Sequence, residues 1–240
     1  MKTVNNIDKR VKYIMVMDVE TAGGLGNPLV YDLGFAVCDR RGKIYAKESF
    51  VIKEIFEQKD LMSSAYYAEK IPRYDKDLEN GSRQLVSMEF ARQAFINMMN
   101  KYKVGTISAY NLAFDRRALG NTMKNLFGEG SKFLSGITNQ VKQMCIWSFA
   151  CEVIYTQPTF WKVAENENWF TEGGNMRTSA EIGWRYISGL RDFEESHTGL
   201  EDVQIEVAIL AKCFAQNKKH ESGMIGSPWR IPNKAKKERG

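Results

Sequence analysis

Cysteine is scarce in this sequence, with four among 240 residues, and no two of them form a C-x-x-C pair. Their spacing excludes a disulfide scaffold and a cysteine zinc site. Long hydrophobic runs are also missing. The first apolar run, residues 13–17, is far shorter than the roughly 20 residues that span a membrane. We therefore expect a soluble, unexported protein in the reducing cytoplasm, with no membrane partner.

Net charge is small outside the C-terminal end. The 34 basic and 29 acidic residues give +5, but five of the basic residues and one acidic residue lie within the last thirteen positions. The remaining chain carries +1, so the overall charge does not by itself indicate a nucleic-acid partner. Apolar residues make up 43% of the chain, which is enough for a packed core. We predict a domain over residues 1–223 and a basic, extended tail over 224–240.

Hydrophobic patterning predicts an α/β fold with a mixed sheet flanked by helices. It begins with a three-stranded antiparallel meander, whose second turn contains Gly42. Residues 128–176 form a predicted aromatic-rich insertion, where Trp161, Trp169 and Phe170 either stack on single-stranded bases or pack in the core. The predicted strands span residues 13–17, 29–38, 43–52 and 106–110, and the predicted helices span 84–102, 113–127 and 141–155, with two more opening at 178 and 198.

Two acidic residues follow the first apolar run. Asp18 and Glu20 are two positions apart, so on an extended chain their carboxylates point to one face. Neighbouring carboxylates repel one another unless a cation lies between them, and oxygen ligands of this kind suit Mg²⁺ or Mn²⁺. The D-x-E pattern is common, and a surface loop is the alternative interpretation.

Two further polar clusters stand at the starts of predicted helices. Asn111 and Asp115 follow a predicted strand, and they are either a helix cap and a first-turn charge or parts of a site. His197, one of two histidines, precedes Asp202, which interrupts an apolar helix face. Taken alone, His197 is either a structural residue or a proton acceptor.

The order of these three motifs resembles a known family. D-x-E after a first strand, N-x-x-F-D opening a middle helix and H-x-x-x-x-D before a late helix are together similar to the DEDDh (DnaQ-like) 3′–5′ exonucleases. The resemblance covers roughly residues 13–214, and residues 65–72 are also similar to stand-alone bacteriophage exonucleases. It implies a ribonuclease H-like fold, in which the antiparallel meander is joined by parallel strands and flanked by helices.

The resemblance also implies a role for each matching residue. Asp18, Glu20, Asp115 and Asp202 would hold two divalent cations, Mg²⁺ or Mn²⁺, and His197 would take a proton from the attacking water. A pair of such cations activates water and stabilises the charge that builds on a phosphate. The implied substrate-binding residues are Thr21, Leu25 and Asn111. Core or loop packing is the alternative for Leu25.

The sequence departs from the family pattern in two places. Tyr110 stands where many relatives have a histidine, and the 87 positions between Asp115 and Asp202 exceed the interval expected of compact relatives. The added length falls within the predicted aromatic-rich insertion.

The resemblance implies hydrolysis from the free 3′ end of a nucleic acid, releasing nucleoside 5′-monophosphates. Similarity to proofreading enzymes favours single-stranded DNA over RNA, and a 3′–5′ exoribonuclease is the alternative because no residue recognisably reads a 2′-hydroxyl. Two other classes are a non-catalytic nucleic-acid-binding module and an assembly protein that acts through its basic tail. The sequence identifies no replication or repair partner.

Overall fold

The computed structural model describes residues 7–8, 10–137, 140–221 and 223–238. Its strands are β1 (Ile14–Ala22), β2 (Leu29–Cys38), β3 (Ile44–Ile52), β4 (Leu85–Val86), β5 (Thr106–Ala109) and β6 (Lys142–Cys145). They form a six-stranded sheet in the order β4-β3-β2-β1-β5-β6. β1, β2 and β3 pair antiparallel, whereas β4, β5 and β6 add to the sheet in parallel. The predicted meander and mixed sheet are therefore confirmed.

Helices cover both faces of this sheet, so that apolar side chains form one core cluster on each face. β1 serves both clusters, because alternate side chains of a strand point to opposite faces. Met15 and Met17 pack on one face, whereas Ile14 and Val16 pack on the other. The helices are α1 (Lys53–Phe56), α2 (Lys59–Met62), α3 (Ile71–Glu79), α4 (Met88–Tyr102), α5 (Leu112–Phe127), α6 (Ile146–Val153), α7 (Pro158–Asn166), α8 (Ala180–Ser188), α9 (Gly199–Ala215) and α10 (Arg230–Lys237).

The first strand is longer than the apolar run predicts. We expected it to end in a tight loop at Asp18, but β1 continues to Ala22 because β2 pairs with it along its whole length. A register shift between Glu20 and Thr21 marks the irregular end of this pairing. Asp18 and Glu20 therefore lie within a strand, on the face that Ile14 and Val16 share.

The segment predicted as a helix over residues 141–155 begins as a strand. β6 pairs in parallel with β5, and only then does α6 start. Four residues are too few for periodicity to distinguish a strand from a helix, so the pairing with β5 decides. Within the predicted insertion, Trp161 and Trp169 are 8% and 4% exposed and pack in the core, which settles their two alternatives in favour of packing.

The C-terminal segment is not extended as its composition suggested. α10 occupies residues 230–237, and its Ile231 and Ala235 pack against the core that contains α6 and α9. The Asn233 side chain accepts a hydrogen bond from the Met176 backbone N–H at 3.0 Å. Apolar contacts on one face thus fold this basic segment into a helix, although its sequence is mostly polar.

All four cysteines are buried and unpaired. Among the residues that the structure describes, no helix combines the length and the apolar character needed to cross a membrane.

Candidate active site

All eight residues predicted as site residues line one cavity of about 330 Å³. It opens beside the end of β1 and the first turns of α5 and α9. We call it the acidic cavity, because six carboxylates line it and no lysine or arginine does so among the described residues. The eight predicted residues are Asp18, Glu20, Thr21, Leu25, Asn111, Asp115, His197 and Asp202.

β1 supplies the first two carboxylates. Asp18 and Glu20 share one face of the strand, as their two-residue spacing predicts. Oδ2 of Asp18 is buried and has no hydrogen-bond partner within the described part of the chain. Burial, reinforced by the nearby Glu206 and Glu20, raises the pKa of Asp18 well above its usual value. Burial and the neighbouring Asp202 raise the pKa of Glu20 to about 9.

The start of α5 brings Asp115 to the same place. Asp115 is 4% exposed, and backbone N–H groups of Asp115 and Val19 donate to its carboxylate, which connects the helix to β1. It is therefore not an exposed first-turn charge. Burial raises its pKa to about 7. Asn111 has a positive φ of 95° and its side chain makes no capping hydrogen bond, so the plain-cap interpretation is wrong.

The N-terminus of α9 carries the third motif. Asp202 lies in the first turn, is 4% exposed and accepts a hydrogen bond from Ser196 Oγ at 3.4 Å. His197 precedes the helix in a left-handed conformation, with φ of 52°. One ligand atom each of Glu20, His197 and Asp202 lies within 4.8 Å of the other two. The distant motifs therefore meet in space.

A buried carboxylate on β2 holds this end of α9 in place. Asp32 is fully buried, and its Oδ2 accepts hydrogen bonds from the Gly199 backbone N–H at 3.0 Å and the Tyr74 hydroxyl at 2.6 Å. A Cβ atom on Gly34 would lie 2.2 Å from the Gly199 carbonyl carbon, so β2 and α9 touch backbone to backbone. Sequence reasoning missed Asp32, although an aspartate within an apolar strand pattern was a usable signal.

His197 is fixed by an aromatic neighbour. The Tyr67 ring stacks on the imidazole at 3.8 Å between centroids and 11° between planes. Burial and the nearby Lys70 lower the pKa of His197, against the opposing influence of Glu181 and Glu69. The imidazole is consequently neutral at pH 7, the form that accepts a proton.

Two carboxylates in the acidic cavity were not predicted. Glu206 lies one turn after Asp202 on the buried face of α9, and its Oε2 has no hydrogen-bond partner among the described residues. Glu195 lies in the loop before α9, and burial together with Asp202 raises its pKa to about 8. Glu206 had a visible signal, because it shares with Asp202 the helix face that Val203 and Val207 make apolar.

This set of oxygens fits divalent cations. Within the described part of the chain, buried oxygens of Asp18 and Glu206 have no hydrogen-bond donor, and no lysine or arginine lines the cavity to offset the carboxylates. Carboxylate oxygen is the preferred ligand of Mg²⁺ and Mn²⁺. A bound cation attracts carboxylates that would otherwise repel one another.

A divalent cation should therefore stabilise the fold, and more so at higher pH. In the metal-free protein, Glu20 keeps its proton to about pH 9 and Asp202 to about pH 7, whereas both lose it near pH 4 when unfolded. The metal-free fold thus loses stability as pH rises through this range. Since a cation replaces these protons, 1 mM Mn²⁺ should raise the melting temperature more at pH 8 than at pH 6.

Differential scanning fluorimetry measures this effect, with potassium chloride at equal ionic strength as the control for screening. An equal rise with potassium, or a larger rise at pH 6 than at pH 8, would contradict cation binding by these carboxylates.

The predicted substrate-binding residues sit at the mouth of the cavity. Leu25 is 69% exposed, so of the core or loop packing given as its alternative, packing in the core is wrong. Thr21 follows the register shift near the end of β1, and the exposed Asn111 lines the same cavity. An exposed leucine beside buried carboxylates presents an apolar surface where a ligand would enter.

No protein-family model matches this sequence, and no curated protein matches it in sequence. The structure is similar to solved structures of Exonuclease I. The apo form has a TM-score of 0.55 at 12% identity, covering 96% of this chain and 45% of that chain. Escherichia coli Exonuclease I with a dT13 oligonucleotide has a TM-score of 0.55 at 13% identity, covering 84% and 40%. A product-bound form has a TM-score of 0.54 at 13% identity, covering 96% and 47%.

This chain thus spans less than half the length of the Exonuclease I chains that it resembles. At 12–13% identity the likeness shows the fold, a mixed α/β sheet of the ribonuclease H-like kind, which confirms the predicted fold class.

Proposed function

We propose that this protein is a metal-dependent 3′–5′ exonuclease that hydrolyses phosphodiester bonds from the 3′ end of single-stranded DNA and releases nucleoside 5′-monophosphates. The observation that carries the proposal is the convergence of Asp18, Glu20, Asp115, His197 and Asp202 in one cavity. These residues come from three distant parts of the chain, in the order expected of DEDDh exonucleases. Similarity in fold to Exonuclease I, which binds oligonucleotides, also supports the proposal.

The four carboxylates of the motifs would hold two divalent cations, with Glu206 close to Asp18. Bound cations would lower the pKa of a water molecule and would stabilise negative charge on the phosphate and the leaving oxygen. His197 accepts the proton of that water, since its lowered pKa leaves the ring neutral at pH 7. Tyr67 keeps the imidazole plane fixed during this transfer.

Leu25, Thr21 and Asn111 would position the terminal nucleotide. Leu25 offers an exposed apolar side chain against a base, and the amide of Asn111 is not used in capping the helix. Burial of the carboxylates on the inner side leaves the nucleotide to enter from the side of these three residues.

Purified protein should shorten a 5′-labelled single-stranded DNA oligonucleotide one nucleotide at a time in the presence of Mn²⁺. The same oligonucleotide labelled at its 3′ end should release labelled mononucleotide as the first product. EDTA should stop both reactions, because it removes the cations that the proposed hydrolysis requires. Absence of shortening with Mn²⁺ and with Mg²⁺ would overturn the proposed activity.

Comparing the degradation of DNA and RNA oligonucleotides of equal sequence identifies the preferred substrate. We expect faster degradation of DNA, measured as kcat/KM for each polymer under one set of conditions. A preference for RNA would overturn the DNA assignment and leave the 3′–5′ exonuclease activity standing.

A further inference from the structure

A second cavity of about 1020 Å³ adjoins the acidic cavity and shares part of its lining. The shared residues include His197, Tyr67 and Tyr66. We call the second cavity the aromatic groove and define it by Tyr66, Trp147, Arg177 and Trp229. It has about three times the volume of the acidic cavity, so it extends the candidate site well beyond the space for one terminal nucleotide.

The aromatic groove is built by parts of the chain that the proposed catalysis does not use. Trp147 comes from α6, Arg177 from the loop before α8, and Trp229 directly precedes α10. The indole N–H of Trp147 donates to Thr178 Oγ1 at 2.9 Å, which fixes the ring. The C-terminal helix and the predicted insertion, whose functions the sequence left open, therefore meet at this groove.

Trp229 is held by the contacts of α10. Asn233 donates to the Trp229 carbonyl at 2.7 Å and accepts from the Met176 backbone N–H. Lys236 forms an ion pair with Glu165 of α7 at 2.6 Å. The helix is thus fastened at several points, and Trp229 stands in the groove without requiring an ordering step when a ligand binds.

Aromatic surface leads outward from the base of the acidic cavity. Tyr67 stacks on His197, and Tyr66 contacts Tyr67 edge to face at 4.9 Å. Tyr66 is 75% exposed, so its ring is accessible for contact with a ligand. The two indoles and Arg177 follow along the groove.

Basic side chains offset part of the negative charge of the groove, which Glu172, Glu181 and Glu195 line. Glu181 forms an ion pair with Arg185 at 2.9 Å. Arg177 contributes a guanidinium to the lining, and the guanidinium of Arg230 lies over the Trp229 ring, 5.4 Å from its centroid, as a cation–π contact.

We propose that the aromatic groove binds the single-stranded nucleic acid that precedes the terminal nucleotide, with unpaired bases stacked on Tyr66, Trp147 and Trp229 and a phosphate near Arg177. Stacking needs exposed base faces, which a single strand offers and a duplex hides. This inference rests on the proposed function, because it takes the acidic cavity as the place of the 3′ end.

Binding of 5′-fluorescein-labelled dT12 and dT2 tests the groove in the full chain carrying Asp18→Asn, which prevents turnover. Fluorescence anisotropy with Mn²⁺ should give tighter binding of dT12 than of dT2. Trp229→Ala should weaken dT12 binding at least about fivefold, since stacking of one base contributes that much or more. Tyr66→Ala should act in the same direction, and its exposure makes loss of folding an inadequate explanation.

Phe127→Ala is the matched control, because Phe127 is a 45% exposed aromatic side chain that lines neither cavity. It should leave dT12 binding unchanged. Equal affinities for dT12 and dT2 would contradict binding of single-stranded nucleic acid in the groove. Unchanged dT12 binding by both Trp229→Ala and Tyr66→Ala would contradict it as well.

The same proteins without Asp18→Asn separate the two proposals. If the protein shortens DNA but the two aromatic substitutions do not change dT12 binding, the exonuclease proposal is supported and the proposed role of the groove is contradicted. If dT12 binding depends on Trp229 but the protein shortens no oligonucleotide, the proposed role of the groove is supported and the exonuclease proposal is contradicted.

Discussion

Asp18→Asn should lower the rate of 3′-nucleotide release by at least about a thousandfold while the fold survives. Asparagine keeps the shape of the side chain but removes the charge that would hold a cation. A bound cation supplies several kcal/mol of transition-state stabilisation, and each 1.4 kcal/mol or so is tenfold in rate. The measurement is kcat/KM on single-stranded DNA with Mn²⁺.

The same substitution should raise the melting temperature of the metal-free protein at pH 8. Asp18 Oδ2 is buried and has no hydrogen-bond partner among the residues that the structure describes, and Glu206, Glu20, Asp115 and Asp202 act on this carboxyl as like charges. Removing one member of this group relieves the repulsion. Asp75→Asn on the exposed side of α3 is the matched control and should change neither quantity. An unfolded Asp18→Asn protein, or one with normal turnover, would contradict the assignment.

His197→Ala should slow turnover by at least about two orders of magnitude, the usual scale of general-base catalysis. The substitution leaves the carboxylates in place, so cation binding should persist. The Mn²⁺-dependent rise in melting temperature measures that binding. A loss of rate with retained cation binding separates proton transfer from metal ligation. That distinction matters here, since His197 lies within 4.8 Å of ligand atoms of Glu20 and Asp202.

His220→Ala is the control, because the other histidine of the chain stacks on Phe149 at 3.6 Å and lines neither cavity. Its turnover should match that of the unmodified protein. Near-normal rates for His197→Ala would remove this residue from the mechanism.

Much of the fold followed from local pattern. The alternating and apolar runs of the meander predicted β2 at its observed bounds, residues 29–38, because neighbouring antiparallel strands joined by a short turn are a local arrangement. The candidate site was predictable for a related reason. Asp18, Glu20 and Asp202 are charged residues in otherwise apolar patterns, where burial has to be offset by a partner.

Other features depended on contacts between distant parts of the chain. The predicted helix over residues 141–155 starts as β6 because β5 offers it a parallel partner, and strand pairing over 36 positions leaves no local signal. The burial of Trp161 and the partial exposure of Trp229 in the groove likewise reflect which neighbours cover each ring. Composition alone does not distinguish these two tryptophans.

The sequence by itself predicted the α/β class and the meander, and through its resemblance to a nuclease family it singled out five polar residues. Only the tertiary structure decided that they share one cavity with Glu195 and Glu206, that Asp32 holds the N-terminus of α9, and that an aromatic groove continues from the site. The physical reason is the separation along the chain of the residues on which each property depends. Side-chain chemistry and backbone periodicity are local properties, whereas proximity and burial arise from the packing of the whole chain.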